Sequence, residues 1–171
     1  MTKTGFRTTV VLLALSSSVS IADGLMCRAS SSTGGCLHPT SNSSNIDASI
    51  ENQKIPPPPN HTFFRWQRFQ TSVNGPSLIY NQGSYLCMAR TFNIISAFVV
   101  QKLCDPNDST QLWDFSCRDV SGVRRCAITQ FGSNNCLYSP NMGPWQYVAG
   151  VSIQGCNPFT TTDPAFLWTE F

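Results

Sequence analysis

One string recurs through the chain at a near-constant spacing, and that period constrains the fold more than any other feature. Its fullest copy runs from Gly83 to Phe115. It holds Cys87, an apolar alternation ending in Cys104, a turn-rich loop, and then Gln111-Leu112-Trp113-Asp114-Phe115. A second copy closes the chain from Asn134 to Phe171, where Cys136 answers Cys87, Val151 to Cys156 answers Val99 to Cys104, and Trp168 answers Trp113. Both second cysteines are followed by a turn dipeptide, Asp105-Pro106 and Asn157-Pro158. A more worn copy precedes them, with Gly35-Cys36-Leu37 near its start and Phe64-Arg65-Trp66-Gln67-Arg68-Phe69 at its end. Cys36, Cys87 and Cys136 stand 51 and 49 residues apart (36 to 87, 87 to 136). A period of that size marks a repeat architecture in which each copy is one supersecondary unit.

No stretch beyond the N-terminal segment keeps a 3.6-residue apolar period. Short alternations such as Val99 to Leu103 and Val148 to Ile153 are broken instead by Gly, Pro, Asn and Asp. That pattern predicts an all-β sandwich or barrel, and three repeats of several short strands each favour a barrel with internal threefold symmetry. Phe63 to Gln70 reads as a strand, Asn74-Gly75-Pro76 as a turn, and Gly122 as the centre of a hairpin. Pro39 to His61 is polar and ends in four consecutive prolines, so it reads as a long loop inserted in the first repeat.

The first 22 residues are set apart as a signal peptide. Lys3 and Arg7 precede a short apolar run from Val10 to Leu15, and Ser20-Ile21-Ala22 offers a cleavage site before Asp23. The apolar run is much shorter than the roughly 20 residues that span a bilayer. A secreted protein with no membrane span is expected, a retained N-terminal anchor being the alternative. Residues 23–171 then form one domain, with repeats at about 27–82, 83–130 and 131–171. Without Lys3 and Arg7, nine basic residues face nine acidic ones. A balance near zero argues against a nucleic-acid partner, which calls for a basic face.

All eight cysteines lie beyond that segment. An even count in an exported chain predicts disulfides. Cys87–Cys104 and Cys136–Cys156 occupy equivalent places in their repeats. Cys27–Cys36 and Cys117–Cys126 each flank a turn and read as cross-strand staples. Each such loop contributes roughly 2–3 kcal/mol in the chain-entropy model.

The pattern Cys-Leu, Val-x-hydrophobic-x-x-Cys, Gln-x-Trp-x-Phe resembles the QxW repeat of ricin B-type lectins, over about residues 27–171. The resemblance implies a disulfide-stapled β-trefoil in which Trp66, Gln111, Trp113 and Trp168 mark the core. It also implies a sugar pocket with an Asp after the Cys-Leu pair, an aromatic two residues before the second Cys, and an Asn beside the Gln. Here the Asp positions hold His38, Ala89 and Tyr138, the aromatic positions Lys102 and Gln154, and the Asn positions Thr110 and Ala165. No repeat keeps the galactose-binding set.

The candidate ligand site is therefore sought elsewhere, in the third-repeat loop Asn141 to Tyr147. Gly143-Pro144 turns that loop out of the sheet, and Trp168 already fills the core position. Trp145 and Tyr147 are then available to stack on a sugar, with Asn141, Gln146 and Gln154 to read hydroxyls; a Trp145 folded back over the barrel is the alternative. Phe92 to Phe98 reads as a packing bulge. His38 and His61 read as exposed loop residues, and Asp105, Asn107 and Asp108 as a turn, so no metal or cofactor is expected. The sparse acids form no couple of the kind glycosidases use, and no enzyme is expected. Asn42, Asn60 and Asn107 begin glycosylation sequons. Three functions follow: a secreted lectin-like protein binding a glycan or glycoconjugate at a cell surface; the cell-binding subunit of a secreted toxin, since lectin-like subunits of cytolethal distending toxins are similar in size and degenerate sites; and a trefoil protease inhibitor.

Overall fold

The computed structural model describes residues 23–25, 27, 35–54, 61–91, 97–140 and 148–169. Strands dominate them: β1 (Asp23–Leu25), β2 (Cys36–Pro39), β3 (Ile50–Gln53), β4 (Arg65–Gln70), β5 (Ser77–Asn81), β6 (Cys87–Arg90), β7 (Val99–Lys102), β8 (Trp113–Val120), β9 (Val123–Gln130), β10 (Asn135–Tyr138), β11 (Val148–Gly150), β12 (Ser152–Gly155) and β13 (Leu167–Thr169). Among the described residues no helix is long and apolar enough to cross a membrane.

The strands divide into a barrel and a cap. Antiparallel pairing runs β1–β4–β5–β8–β9–β13. The amide of Thr169 donates to the Cys27 carbonyl at 2.7 Å and joins the end of this path to its beginning. Closure matters because it leaves the barrel no unpaired edge. Three hairpins form the cap: β2–β3, β6–β7 and β10–β12. Each has a cysteine at or next to its start that pairs outside the hairpin, Cys36 with Cys27, Cys87 with Tyr80, and Cys136 with Thr129. This arrangement is the β-trefoil expected from the repeats.

The threefold relation persists in the core. Leu37, Met88 and Leu137 form one buried set, Ile50, Val99 and Val151 a second, and Trp66, Trp113 and Trp168 a third. Each tryptophan follows a single 3-10 turn, Thr62–Phe64, Ser109–Gln111 or Pro164–Phe166. Each indole N–H donates to the carbonyl after a repeat's first cysteine: Trp66 to Leu37 at 3.0 Å, Trp113 to Met88 at 3.1 Å, and Trp168 to Leu137 at 3.2 Å. Barrel and cap are thereby pinned together inside every repeat.

All four expected disulfides are present. Cys117 and Cys126 face each other directly across β8–β9, and the loop between these strands is Ser121-Gly122, both at positive φ (52° and 78°). A two-residue turn with both φ values positive matches the twist of the strands it joins. Cys36 departs from its counterparts, bonding back to Cys27 instead of forward to the far strand of its hairpin.

Two expectations are corrected. Pro39 to His61 is not all loop, because Ile50–Gln53 forms β3. Its polar run conceals an alternation with Ile50 and Asn52 buried, and Asn52 donates to the Ser139 hydroxyl at 3.0 Å. His38 is not an exposed loop residue either. It lies on β2 at 4% exposure, for reasons given below.

Replacing Trp113 with alanine is expected to cost about 3–5 kcal/mol of stability. Trp113→Phe, which keeps a ring but orphans the Met88 carbonyl, should cost about 1–3 kcal/mol. Urea unfolding of the oxidised protein measures both; a Trp113→Phe protein as stable as the wild type would remove the indole hydrogen bond from the account.

Candidate functional site

Strand register brings together the positions at which the repeats would hold a sugar. His38 faces Glu51, Ala89 faces Val100, and Tyr138 faces Ser152. The aromatic positions pair with the first cysteines, Lys102 with Cys87 and Gln154 with Cys136, and Gln53 takes that place in the first repeat. Side chains two apart share a face, so each would-be pocket is a single patch of hairpin surface.

In the first and third repeats the patch is filled by the chain's own side chains. In the first repeat His38 stacks on Phe64, centroids 4.6 Å apart and planes at 26°. His61 packs edge-on against the same Phe64 at 5.3 Å. In the third, Tyr138 lies 5.0 Å from Phe166. Phe64 and Phe166 occupy the place of Gln111, two residues before the core tryptophan. Where that glutamine has become phenylalanine, the residue at the Asp position is also a ring, and the two rings pack together. In the second repeat Gln111 is retained but committed. Its amide donates to the Leu103 carbonyl at 2.9 Å and to Asp108 Oδ2 at 3.1 Å, and its oxygen accepts from the Asp105 amide at 3.2 Å. Asp108 caps the turn, accepting from the Thr110 amide and hydroxyl at 2.9 and 2.7 Å. Burial opposes its charge, but these hydrogen bonds, the bond from Gln111 and the nearby Lys102 together hold its carboxyl below the usual range.

Of the candidate ligand-binding residues, Asn141, Trp145, Gln146 and Tyr147 lie outside the described residues. Gln154 is exposed on β12, on the same face as Tyr138 and Ser152. Residues 92–96 also lie outside the described set, and Phe98 at the end of that bulge is 50% exposed. Of the sequons, Asn107 is exposed, Asn42 has its side-chain oxygen buried, and Asn60 lies outside the described residues. Among the described residues no cluster of three or more His, Cys, Asp or Glu is placed to hold a metal.

A site the repeat pattern did not flag lies on the barrel flank. A groove of about 800 Å³ runs between β4, β8 and the loops around Gly132 and Phe159. Arg68 lies across its floor with the guanidinium 4.2 Å from the Phe115 ring centroid, and its Nε donates to the Ser77 hydroxyl at 2.9 Å. Asp114 lines the groove beside Arg68. Burial raises its carboxyl, and the Arg68 charge draws it part of the way back. Phe159 stands at the rim, 75% exposed. One sequence signal pointed here: Phe159 follows the Asn-Pro turn in the position that Asn107 holds after Asp-Pro.

The geometry defines a β-trefoil whose first and third hairpin patches hold self-packed rings. Solved structures share this fold. A designed threefold-symmetric protein, ThreeFoil, is 14% identical over 85% of this chain and 95% of its own, with a TM-score of 0.66. The cytolethal distending toxin of Actinobacillus actinomycetemcomitans is 14% identical over 85% and 88%, with a TM-score of 0.64. The agglutinin of Rhizoctonia solani is 16% identical over 90% and 97%, with a TM-score of 0.63. No protein-family model and no curated protein sequence matches the chain.

The His38 cluster has a measurable consequence. Burial lowers the His38 pKa, against the opposing pull of the Pro39 carbonyl (2.8 Å from Nδ1), Glu51 and Asn42; the nearby His61 adds to the lowering. The unfolded chain therefore binds the proton more readily than the fold does. Stability from this site is complete above the ordinary histidine value of about 6.5 and is lost as pH falls below it. Thermal unfolding between pH 7.5 and 5 should show that loss in the wild type and a flatter profile in His38→Phe.

Proposed function

We propose that the chain is a secreted, lectin-like carbohydrate-binding protein that uses a non-standard sugar site. The observation that carries this reading is the exchange seen across the surface. Pocket positions that would read sugar hydroxyls hold self-packed rings, His38 on Phe64 and Tyr138 against Phe166. A large ring is meanwhile exposed at a position the fold leaves open, Phe159 at 75%. Four disulfides support an oxidising, extracellular location, with residues 1–22 as the signal peptide and 23–171 as the mature domain.

The primary site on this reading is the third-repeat loop, with Trp145 and Tyr147 stacking on a sugar and Asn141, Gln146 and Gln154 binding its hydroxyls. Gln154 is exposed on β12. A second reading, the cell-binding subunit of a toxin complex, is favoured by the likeness to the cytolethal distending toxin, and it would require a separate catalytic chain.

A panel of galactose-, N-acetylhexosamine-, mannose-, fucose- and sialic acid-terminated glycans separates these ideas. The oxidised mature protein should bind at least one class, and Trp145→Ala should weaken that binding by about tenfold or more, the scale of one lost ring contact. Binding that survives Trp145→Ala moves the site. A folded protein that binds no glycan overturns the lectin reading and leaves protein partners.

A further inference from the structure

The flank groove brings together chemistry that the hairpin pockets lack. Carbohydrate recognition needs a ring face for the sugar's C–H bonds and carboxylate or amide groups for its hydroxyls. Phe159 supplies the ring, Asp114 the carboxylate and Asn134 the amide, all lining one groove. Its volume of about 800 Å³ falls within the range of small-molecule sites, roughly 300–1,000 Å³.

The backbone that carries the ring at the rim is held. The Phe159 amide donates to Asn157 Oδ1 at 3.0 Å, and the Thr160 and Thr161 amides return to the Asn157 carbonyl at 3.3 and 3.0 Å. Arg118 reaches across from β8 to donate to the Pro158 and Thr161 carbonyls. Cys156, one residue before the turn, is tied to Cys136. A ring on a backbone fixed before a ligand arrives spares the loop part of the ordering cost of binding.

Nor does the turn itself require phenylalanine. The equivalent turn of the second repeat is built in the same way, with the Asn107 amide donating to Asp105 Oδ1 at 2.8 Å. There the corresponding position holds a polar, exposed asparagine. Local folding thus leaves the residue open, and in the third repeat it is a large apolar ring beside a charged, half-buried pair.

We infer that this groove is a second carbohydrate-binding site, in which a sugar ring stacks on Phe159 while Asp114 and Asn134 hold its hydroxyls; the inference rests on the glycan-binding reading above. Arg68, braced on Phe115 and Ser77, lines the groove, and its charge favours the ionised form of Asp114.

The test uses the same glycan panel with the oxidised mature protein, Phe159→Ala, Asp114→Asn and Tyr85→Ala. Tyr85 is an equally exposed ring outside the groove, and unchanged near-UV circular dichroism reports that each variant is folded. On the inference, Phe159→Ala and Asp114→Asn each weaken a bound glycan by about tenfold or more, while Tyr85→Ala leaves it unchanged. Wild-type binding matched by both groove variants overturns the groove and spares the lectin reading. An equal loss in Tyr85→Ala also overturns it, because exposed rings in general would then be responsible. Absence of glycan binding by folded wild type overturns both.

Discussion

Three indole hydrogen bonds hold this molecule in register. A tryptophan N–H is a lone donor on a large ring, and burying it unpaired is costly. Trp66, Trp113 and Trp168 are fully buried, and each satisfies its N–H on the carbonyl of the residue that follows a repeat's first cysteine. The bond spans from the barrel wall to the cap hairpin, so it sets how far each hairpin leans over the barrel. Leu37, Met88 and Leu137 then meet at one level and Ile50, Val99 and Val151 at another. Within a level the side chains differ little in volume, and such swaps cost little. Low internal sequence identity is compatible with a well-kept threefold core for that reason.

The first repeat departs most from the pattern, and polar side chains compensate. Its hairpin lacks a second cysteine, and the segment between β2 and β3 is long. Gln101, wholly buried on β7, donates from Nε2 to the Ser43 and Asn45 carbonyls at 2.7 and 2.8 Å. The Gln101 backbone takes the Asp47 amide and gives its own to Ala48. A segment with no strand of its own has no ladder for its backbone groups, and here the neighbouring repeat provides partners. Asn52 does the same toward the third repeat through Ser139. Inter-repeat contacts that apolar packing makes elsewhere are made by amides at these two points.

These features also decide what could be read from the chain alone. The period, the four disulfide pairs and the three tryptophans were legible because each is a local signal repeated at a fixed interval. β3 was missed because its buried asparagine looks polar until Ser139, 87 residues away, is brought beside it. His38 was read as exposed because its cover, Phe64 and His61, lies more than twenty residues downstream. A trace of that packing was present nonetheless. Ala89 accompanies Gln111, whereas His38 accompanies Phe64 and Tyr138 accompanies Phe166. Reading the two positions jointly across the repeats predicts ring pairs in the first and third. The flank groove gave no such periodic signal, since its walls come from all three repeats and from non-equivalent positions in them.

That last point explains why fold and site can separate in this architecture. The hairpin patches are equivalent by symmetry, and each is built mainly from its own repeat's residues. Closing one takes two substitutions that pack against each other, and the core tryptophan beneath keeps its hydrogen bond. The groove is different, because Arg68, Asp114 and Phe159 have no common counterpart in the other repeats. It depends on a closed barrel that holds three unrelated loops at fixed distances. Disulfides and the Arg118 clamp hold Phe159 in water by constraining its backbone, so side-chain identity there is set by neither turn geometry nor core packing. A rigid threefold scaffold can thus lose its symmetric sites and still present an asymmetric one.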